Sequence, residues 1–237
     1  WWANWTIAGS VGNPSLPEPS CPSGTDELED GLCLLPPTVS SDLTLTAGVD
    51  YLMEGRVTVG NGNGQLETNG DGTLADGSSV RNVTLTIDPG VKVLGKTGTF
   101  ANLVITRGSK LMAMGTQSAP IVFSSDDEGL DGSGEWGGLI MHGYAPHNEC
   151  SEGGSYCDID SEGESGFAGG YDPNDSSGVL RYVVVAEGGY EFSTGNEING
   201  ISLVAVGSGT EMDYIQVHGN SDDGIEFYGG NVNVKHG

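Results

Sequence analysis

Short runs of alternating apolar and polar residues occupy the chain from Ser41 onward. Each run is about 3 to 6 residues long, and clusters of Gly, Asp and Asn, which favour tight turns, separate the runs. No segment sustains the helical period of about 3.6 residues. The pattern therefore predicts an all-β protein with many short strands, and its clearest runs are DLTLTAG, RVTVG, NVTLTIDPGVKVLG, NLVITRG, PIVFSSD and GVLRYVVVAEGG.

The apolar runs also repeat. Residues 85–94 align with residues 103–112 at an offset of 18, and the step from Ile105 to Phe123 is again 18. Repetition of this kind indicates a solenoid rather than a β-sandwich, because the strands of a sandwich need not resemble one another at a fixed offset.

Later repeats have longer offsets. Residues 180–186 align with residues 212–218 at an offset of 32, and residues 199–203 align with residues 223–227 at an offset of 24. Unequal offsets suit a β-solenoid, because each coil must match its neighbours only at inward-facing positions and tolerates inserted loops.

Several segments resemble known coil motifs. GTQSAPIVFSS, which contains Pro120 and Phe123, and GEWGGLIMHG, which contains Trp136, resemble the coils of right-handed parallel β-helix proteins. LVITRGSKLMAMGT, FAGGYDPNDSSGVLRYV, NEINGISLVAVGSGTEMDYIQV and DDGIEFYGGNVNVKH are similar to a poorly characterised bacterial family with the pectin-lyase-like β-helix fold, secreted or lipid-anchored. The resemblance covers residues 41–237. It implies a right-handed parallel β-helix at the cell surface or outside the cell, and no established reaction.

The first 40 residues differ from the rest. Their six prolines prevent a long helix or a central strand, so we expect an irregular segment at residues 1–40 and the β-helix at residues 41–237. The apolar stretch WWANWTIAGSV either caps its own domain or docks onto a neighbouring subunit. Because the sequence starts without a methionine or a signal peptide, we expect a processed product or a fragment.

The charge narrows the possible partners. The chain has 33 acidic and 8 basic residues, a net charge of −25. Such a surface repels nucleic acids and anionic membranes and attracts divalent cations or basic partners. Acidity also keeps a secreted protein soluble, so it does not by itself prove cation binding. The sequence contains no run of about 20 apolar residues, and we expect no membrane span.

The four cysteines form two local pairs, and neither pair has CxxC spacing. Both pairs lie in polar, loop-like segments. We expect the disulfides Cys21–Cys33 and Cys150–Cys157, the second closing a loop at residues 150–157, in an oxidising compartment. Free thiols are the alternative.

Asp222 and Asp223 are the best catalytic candidates, together with His236. β-Helix pectin hydrolases resemble this stretch faintly, with a paired-Asp motif followed by a His-Gly motif. Adjacent residues of a strand point to opposite faces, however, and the matching place one coil earlier holds Asn199-Gly200. The structural alternative is that Asp222 and Asp223 lie in a turn, where their carboxylates accept hydrogen bonds from nearby backbone N–H groups.

Calcium is a third interpretation of the acidic loops, because it prefers six to eight oxygen ligands from carboxylates, amides and carbonyls. The candidate clusters are not complete calcium motifs. They are Asn69, Asp71 and Asp76; Asp172, Asn174 and Asp175; and Asn220, Asp222, Asp223 and Glu226.

Together these features favour a non-enzymatic extracellular structural or adhesive protein. It is expected to be acidic and calcium-stabilised, with copies of itself or a cell-surface polysaccharide as partner. The last coil before Gly237 has no cap, so we expect either that the native protein continues or that this coil pairs head to tail with the next copy in a surface filament. A polysaccharide hydrolase or lyase of the β-helix type is the first alternative. A carbohydrate-binding module is the second, and it rests on exposed aromatic side chains such as Trp136, Tyr144, Tyr190 and Tyr228. The sequence does not distinguish a flat aromatic platform from rings packed between coils.

Overall fold

A computed structural model describes residues 20–29, 31–67, 72–127, 129–151, 154, 156–193 and 196–237. The tryptophan-rich stretch of the first 11 residues lies outside them. The chain folds into strands, numbered here β1 to β21 in chain order, and most of them pair in parallel and stack coil upon coil on three faces. The predicted all-β parallel β-helix is confirmed.

Each face is a stack of strands from successive coils. Face 1 contains β4 (Leu43–Leu45), β7 (Thr84–Ile87), β10 (Lys110–Met114), the first half of β15 (Gly178–Ala186), the first half of β19 (Glu211–His218) and β21 (Asn233–Lys235). Face 2 contains β2 (Leu32–Leu34), β5 (Asp50–Met53), β8 (Lys92–Gly95), β11 (Ile121–Ser125) and the second halves of β15 and β19. Face 3 contains β3 (Thr38–Val39), β6 (Val57–Val59), β9 (Asn102–Ile105), β12 (Gly138–His142), β18 (Ile201–Val204) and β20 (Ile225–Tyr228).

The remaining elements are short and lie outside the three stacks. These elements are β1 (Asp26–Glu29), β13 (Ile159–Asp160), β14 (Phe167–Ala168), β16 (Glu191–Ser193), β17 (Asn196–Glu197) and the 3-10 helix Glu162–Glu164. The antiparallel strand β1 pairs with β2. Two small hairpins lie in the loops around the stacks: β13 pairs with β14, and β16 pairs with β17. A 3-10 turn connects β13 to β14.

The pairing corrects part of the predicted register. Leu180 aligns with Met212 and Ile201 with Ile225, so the offsets of 32 and 24 are confirmed. The offset of 18 is wrong, because Leu85 pairs with Leu111 of the next coil. All three faces have the same inward–outward alternation, so the offset of 18 compared strands of different faces.

The stack also begins earlier in the chain than residue 41. Strands β2 and β3 already pair in parallel with β5 and β6, and the disulfide Cys21–Cys33 fastens the preceding segment to β2. No helix in this part of the chain or in the other described ranges has the length and apolar character needed to cross a membrane.

Inward-facing side chains form one continuous core. Rows of aligned apolar residues run along the solenoid axis, and burial of each large side chain contributes about 1.5–3 kcal/mol. Trp136 fills a corner beside Gly95, where an added Cβ would lie 2.7 Å from the Trp136 Cβ. One such row is Val59, Ile105, Met141 and Leu203, and all four side chains are fully buried.

The loop between β12 and β15 covers part of face 3. Arg107 fastens it: its side chain is fully buried, and its guanidinium donates to the carbonyls of Gly62, Gly64 and Gly169. It also donates to Asp158 Oδ1 at 2.8 Å. The second predicted disulfide, Cys150–Cys157, is confirmed in the same loop.

Candidate functional site

Three carboxylates converge where β11 and β15 end on face 2. Asp127 lies just after β11, Glu135 lies in the loop before β12, and Glu187 directly follows β15. One oxygen of each lies within 4.8 Å of the others. Glu187 is fully buried, Glu135 is half-buried and Asp127 is exposed, so the cluster reaches solvent through Asp127.

Serine hydroxyls and backbone N–H groups donate to these carboxylates, and Glu187 accepts the Gly132 N–H at 3.2 Å. The Ser124 hydroxyl donates to Glu187 Oε2 at 2.5 Å. The Ser125 hydroxyl lies 2.6 Å from Glu135 Oε2, 2.9 Å from Asp127 Oδ1 and 3.1 Å from Glu187 Oε2. Because a hydroxyl has one proton, Ser125 donates to one of the three at a time. None of the ion pairs between described residues includes a carboxylate of the cluster.

The surroundings shift two of the carboxyl groups in opposite directions. The Ser125 hydrogen bond lowers the pKa of Glu135, but desolvation and the charges of Asp127 and Glu187 outweigh it and raise that pKa. Burial raises the pKa of Glu187, but the hydrogen bonds from Ser124, Gly132 and Ser125 outweigh burial and hold that pKa below its usual value. Hydrogen bonds therefore favour the ionised form of Glu187, while burial and repulsion from Asp127 and Glu187 disfavour that of Glu135.

The geometry of the cluster suits a calcium ion. Oxygens that share one Ca²⁺ lie about 2.3–2.6 Å from it, and hence at most about 5 Å from one another. The 4.8 Å separation falls within this limit. A bound divalent cation favours the ionised form of all three carboxyl groups and removes their repulsion.

In the first two predicted calcium clusters, carboxylates accept hydrogen bonds from backbone N–H groups of their own loops. Asp172 Oδ1 accepts the Asn174 N–H at 2.9 Å, and Asp175 Oδ2 accepts the Tyr144 N–H at 2.9 Å. Desolvation, partly opposed by backbone hydrogen bonds, raises the pKa of Asp175. Asp76 accepts the Ser78 N–H at 2.8 Å, whereas Asn69 and Asp71 lie outside the described residues.

The paired aspartates lie at the turn before β20. The Asp223 carbonyl accepts the Gly200 N–H of the previous coil and the Asn220 side-chain amide. This pairing places Asp223 opposite Asn199, as the sequence alignment of the two coils predicts.

The other members of the predicted sites bond elsewhere. His236 lies at a different corner, after β21, where its Nδ1 is 2.7 Å from Asp213 Oδ1. Glu226 faces outward on face 3, and its Oε2 accepts from Tyr228 OH and the Asn199 amide, both at 2.5 Å. Neither set of contacts joins Asp222 or Asp223.

Comparison with known proteins identifies the fold family. A family model described as a pectate-lyase-like β-helix domain matches residues 66–236, more than half of the chain. The chain belongs to this β-helix family. No curated protein and no solved structure matches it.

In this pectate-lyase-like β-helix domain, the aromatic residues singled out in the sequence do not form an exposed platform. Trp136 is fully buried in the core, and its indole N–H donates to the Ala186 carbonyl at 2.7 Å. The side chains of Tyr144, Tyr190 and Tyr228 are half-buried. The expectation of exposure is therefore wrong for Trp136, because its place at a coil corner turns the ring inward.

A different aromatic set lies partly exposed on this β-helix domain, with Tyr182 half-buried and Tyr214 42% exposed. Tyr182, Tyr214 and His236 occupy the corner between faces 1 and 2 in successive coils, and we call them the corner ladder. Neighbouring ring centroids are 4.5 Å apart, with planes inclined by 5° and 6°. The offset of 32 between Tyr182 and Tyr214 was the available sequence signal for this stack.

Proposed function

We propose that this β-helix domain is a non-catalytic extracellular protein with a structural and adhesive role, and that its coils extend head to tail into a linear assembly. The observation that carries the proposal is the edge formed by β20 and β21. Among the described strands, β20 pairs only with β18 and β21 only with β19. Each therefore has one edge of backbone groups with no described strand beside it.

The core is exposed at the same edge. Phe227 continues the inward-facing row beyond Leu203, yet Phe227 is 51% exposed whereas Leu203 is fully buried. Ile225 and Val234 are also only partly buried. A further parallel coil would cover these side chains and pair the open strands.

The opposite end offers complementary charge. Strand β1 pairs only with β2 among the described strands, and its side chains Asp26, Glu27 and Glu29 are exposed. Lys235 is exposed on β21. Head-to-tail contact between copies would bring acidic β1 near Lys235, and repeated contacts of that kind form an open fibre.

Two disulfides support the extracellular part of the proposal, since disulfides persist in oxidising compartments. Calcium is proposed as a stabilising ion, with Asp127, Glu135 and Glu187 as its carboxylate ligands. Calcium bound there would fasten the loop before β12 to the ends of β11 and β15.

Sedimentation velocity over a range of protein concentrations tests the assembly. We expect the wild-type protein to form larger species as concentration rises, and Phe227→Asp or Lys235→Glu to prevent this. Met114→Asp is the matched control, because Met114 is 44% exposed on β10, away from the open edge. A wild-type protein that sediments as a monomer at every concentration contradicts the proposal.

The non-catalytic part has its own test, because the family description and the paired aspartates make polysaccharide cleavage the natural alternative. The protein is incubated with neutral and acidic polysaccharides, and products are analysed by mass spectrometry. We expect no oligosaccharide release. If the wild-type protein releases oligosaccharides and the Asp223→Asn variant does not, the protein is an enzyme.

A further inference from the structure

The two ends of the β-helix differ in how their cores are covered. In the first coil, Val39 and Leu45 are buried, and the disulfide-bonded Cys21 packs against the same core. In the last coil, Phe227 is 51% exposed and Val234 is only partly buried. The last coil is therefore the end that needs a covering strand.

The first 11 residues, which precede the described part of the chain, have a composition that suits such a strand. Residues 1–17 contain no Asp, Glu, Lys or Arg, although the chain has 33 acidic and 8 basic residues. Trp5, Ile7 and Val11 lie at odd-numbered positions, and the residues between them are small or polar. Alternation of this kind is typical of a strand with one apolar face, and the charges that usually keep strand edges apart are absent.

This apolar stretch is attached at the covered end of the β-helix. The described chain begins at Ser20, next to Cys21, and the disulfide with Cys33 fixes that point to the first coil. Residues 12–19 can span about 25 Å when extended, and adjacent coils are about 4.8 Å apart. In a head-to-tail pair, the stretch can therefore reach the last coil of the neighbouring copy, whereas the last coil of its own copy lies at the opposite end.

We propose that residues 1–11 of one copy bind as a strand beside β20 of the next copy, an inference that rests on the head-to-tail assembly proposed above. The backbone of the stretch pairs with the open edge of β20. Trp5 and Ile7 have the same two-residue spacing as the inward-facing Ile225 and Phe227, and they cover these two side chains. In strand addition of this kind, main-chain hydrogen bonds provide affinity and alternate side chains provide specificity.

Two full-length variants test the two sides of this contact. Ile7→Asp places a charge on the apolar face of the stretch and leaves β20 intact, whereas Phe227→Asp disrupts the open edge and leaves the stretch intact. In sedimentation velocity, we expect each variant alone to stay monomeric at every concentration. An equimolar mixture should form a dimer with one copy of each variant, because the intact stretch of Phe227→Asp binds the intact β20 of Ile7→Asp and no further copy can add.

Thr6→Asp is the matched control for the charge. It adds the same carboxylate to the opposite face of the stretch, so this variant should assemble as the wild-type protein does. Thermal unfolding checks that each variant is folded. Equal loss of assembly in Thr6→Asp and Ile7→Asp, or a mixture of Ile7→Asp and Phe227→Asp that stays monomeric, would overturn the inference.

The same measurements separate this inference from the proposed assembly. If Ile7→Asp forms larger species at the same concentrations as the wild-type protein, the coils of two copies stack directly, and the role of residues 1–11 alone is overturned. If the wild-type protein stays monomeric at every concentration, the assembly itself is overturned, and the inference that rests on it is overturned as well.

Discussion

His142 is an ionisable side chain held without charge inside the protein. It lies at the end of β12 with no exposed surface, and its Nε2 is 3.0 Å from Ser161 Oγ and 3.1 Å from Ser165 Oγ. Desolvation, together with the positive charges of Arg107 and Arg56, lowers the pKa of His142 to about 3. The folded protein therefore keeps this imidazole neutral at physiological pH.

Acid should destabilise the fold through His142. The folded pKa is below the unfolded value of 6.5, so the unfolded state takes up the proton first as pH falls. The stability is fully present above about pH 6.5 and is lost progressively toward about pH 3. Urea unfolding at about pH 7 and about pH 4.5 should show a smaller loss of stability in His142→Gln than in wild type.

Exposed His218 is the control for this experiment. The His218→Gln variant should lose as much stability as wild type over the same pH range. An unchanged pH dependence in His142→Gln would show that the buried imidazole does not cause the acid sensitivity.

Arg107 is the other buried ionisable group with a large predicted effect. Its replacement by methionine leaves Asp158, whose side chain is only 11% exposed, without its ion-pair partner, and leaves several loop carbonyls without the guanidinium donor. Breaking a buried pair in this way costs about 3–5 kcal/mol. Chemical unfolding of Arg107→Met should show that loss, whereas exposed Arg81→Met should be close to wild type. Equal stability of the two variants would contradict this stabilising role of Arg107.

At the scale of elements, the carboxylate cluster links strands that are distant in the chain. Its carboxylates come from the loop after β11, the loop before β12 and the residue after β15. Calcium should therefore raise the unfolding temperature by relieving repulsion between the three carboxylates. Thermal unfolding with calcium and with excess chelator measures this difference.

Two matched variants test whether calcium stabilises the protein at this cluster. Glu187→Gln should abolish most of the stabilisation by calcium, because Glu187 is the buried member of the cluster. Asp76→Asn, in a separate loop, should retain it. The same unfolding temperature with calcium and with chelator would exclude a stabilising ion at this cluster.

The sequence pattern predicted the alignment of some strands and not of others. Leu180 and Met212 could be aligned from sequence because both belong to the same inward pattern of successive coils. Ile87 and Ile105 could not be assigned to different faces, since face 1 and face 3 strands share the same alternation. The disulfides were predictable because each closes a short loop.

The candidate site was less predictable for a physical reason. Asp127, Glu135 and Glu187 meet only after β15 pairs with β11, and the chain between β12 and β15 contains a long loop whose length no motif encodes. The exposure of the corner ladder likewise depends on left-handed backbone at Tyr182 and Tyr214, which apolar periodicity does not reveal. Pairing between strands that are distant in the chain thus determines the chemistry of this surface.

At the scale of the whole molecule, the proposed assembly requires that coils of one copy stack on coils of another. The open edge at β20 and β21, the half-exposed Phe227 and the acidic strand β1 all belong to this contact. Extension by the same polypeptide is the other source of a covering coil. The two sources differ in the intact mass of the polypeptide and in the shape of the particles.

Negative-stain electron microscopy of the protein, with the intact mass of the same sample determined, is the most direct test. We expect unbranched rods of constant width that lengthen with protein concentration and are absent from the Phe227→Asp variant. Uniform single particles at every concentration, made of a polypeptide longer than this chain, would contradict the proposed assembly.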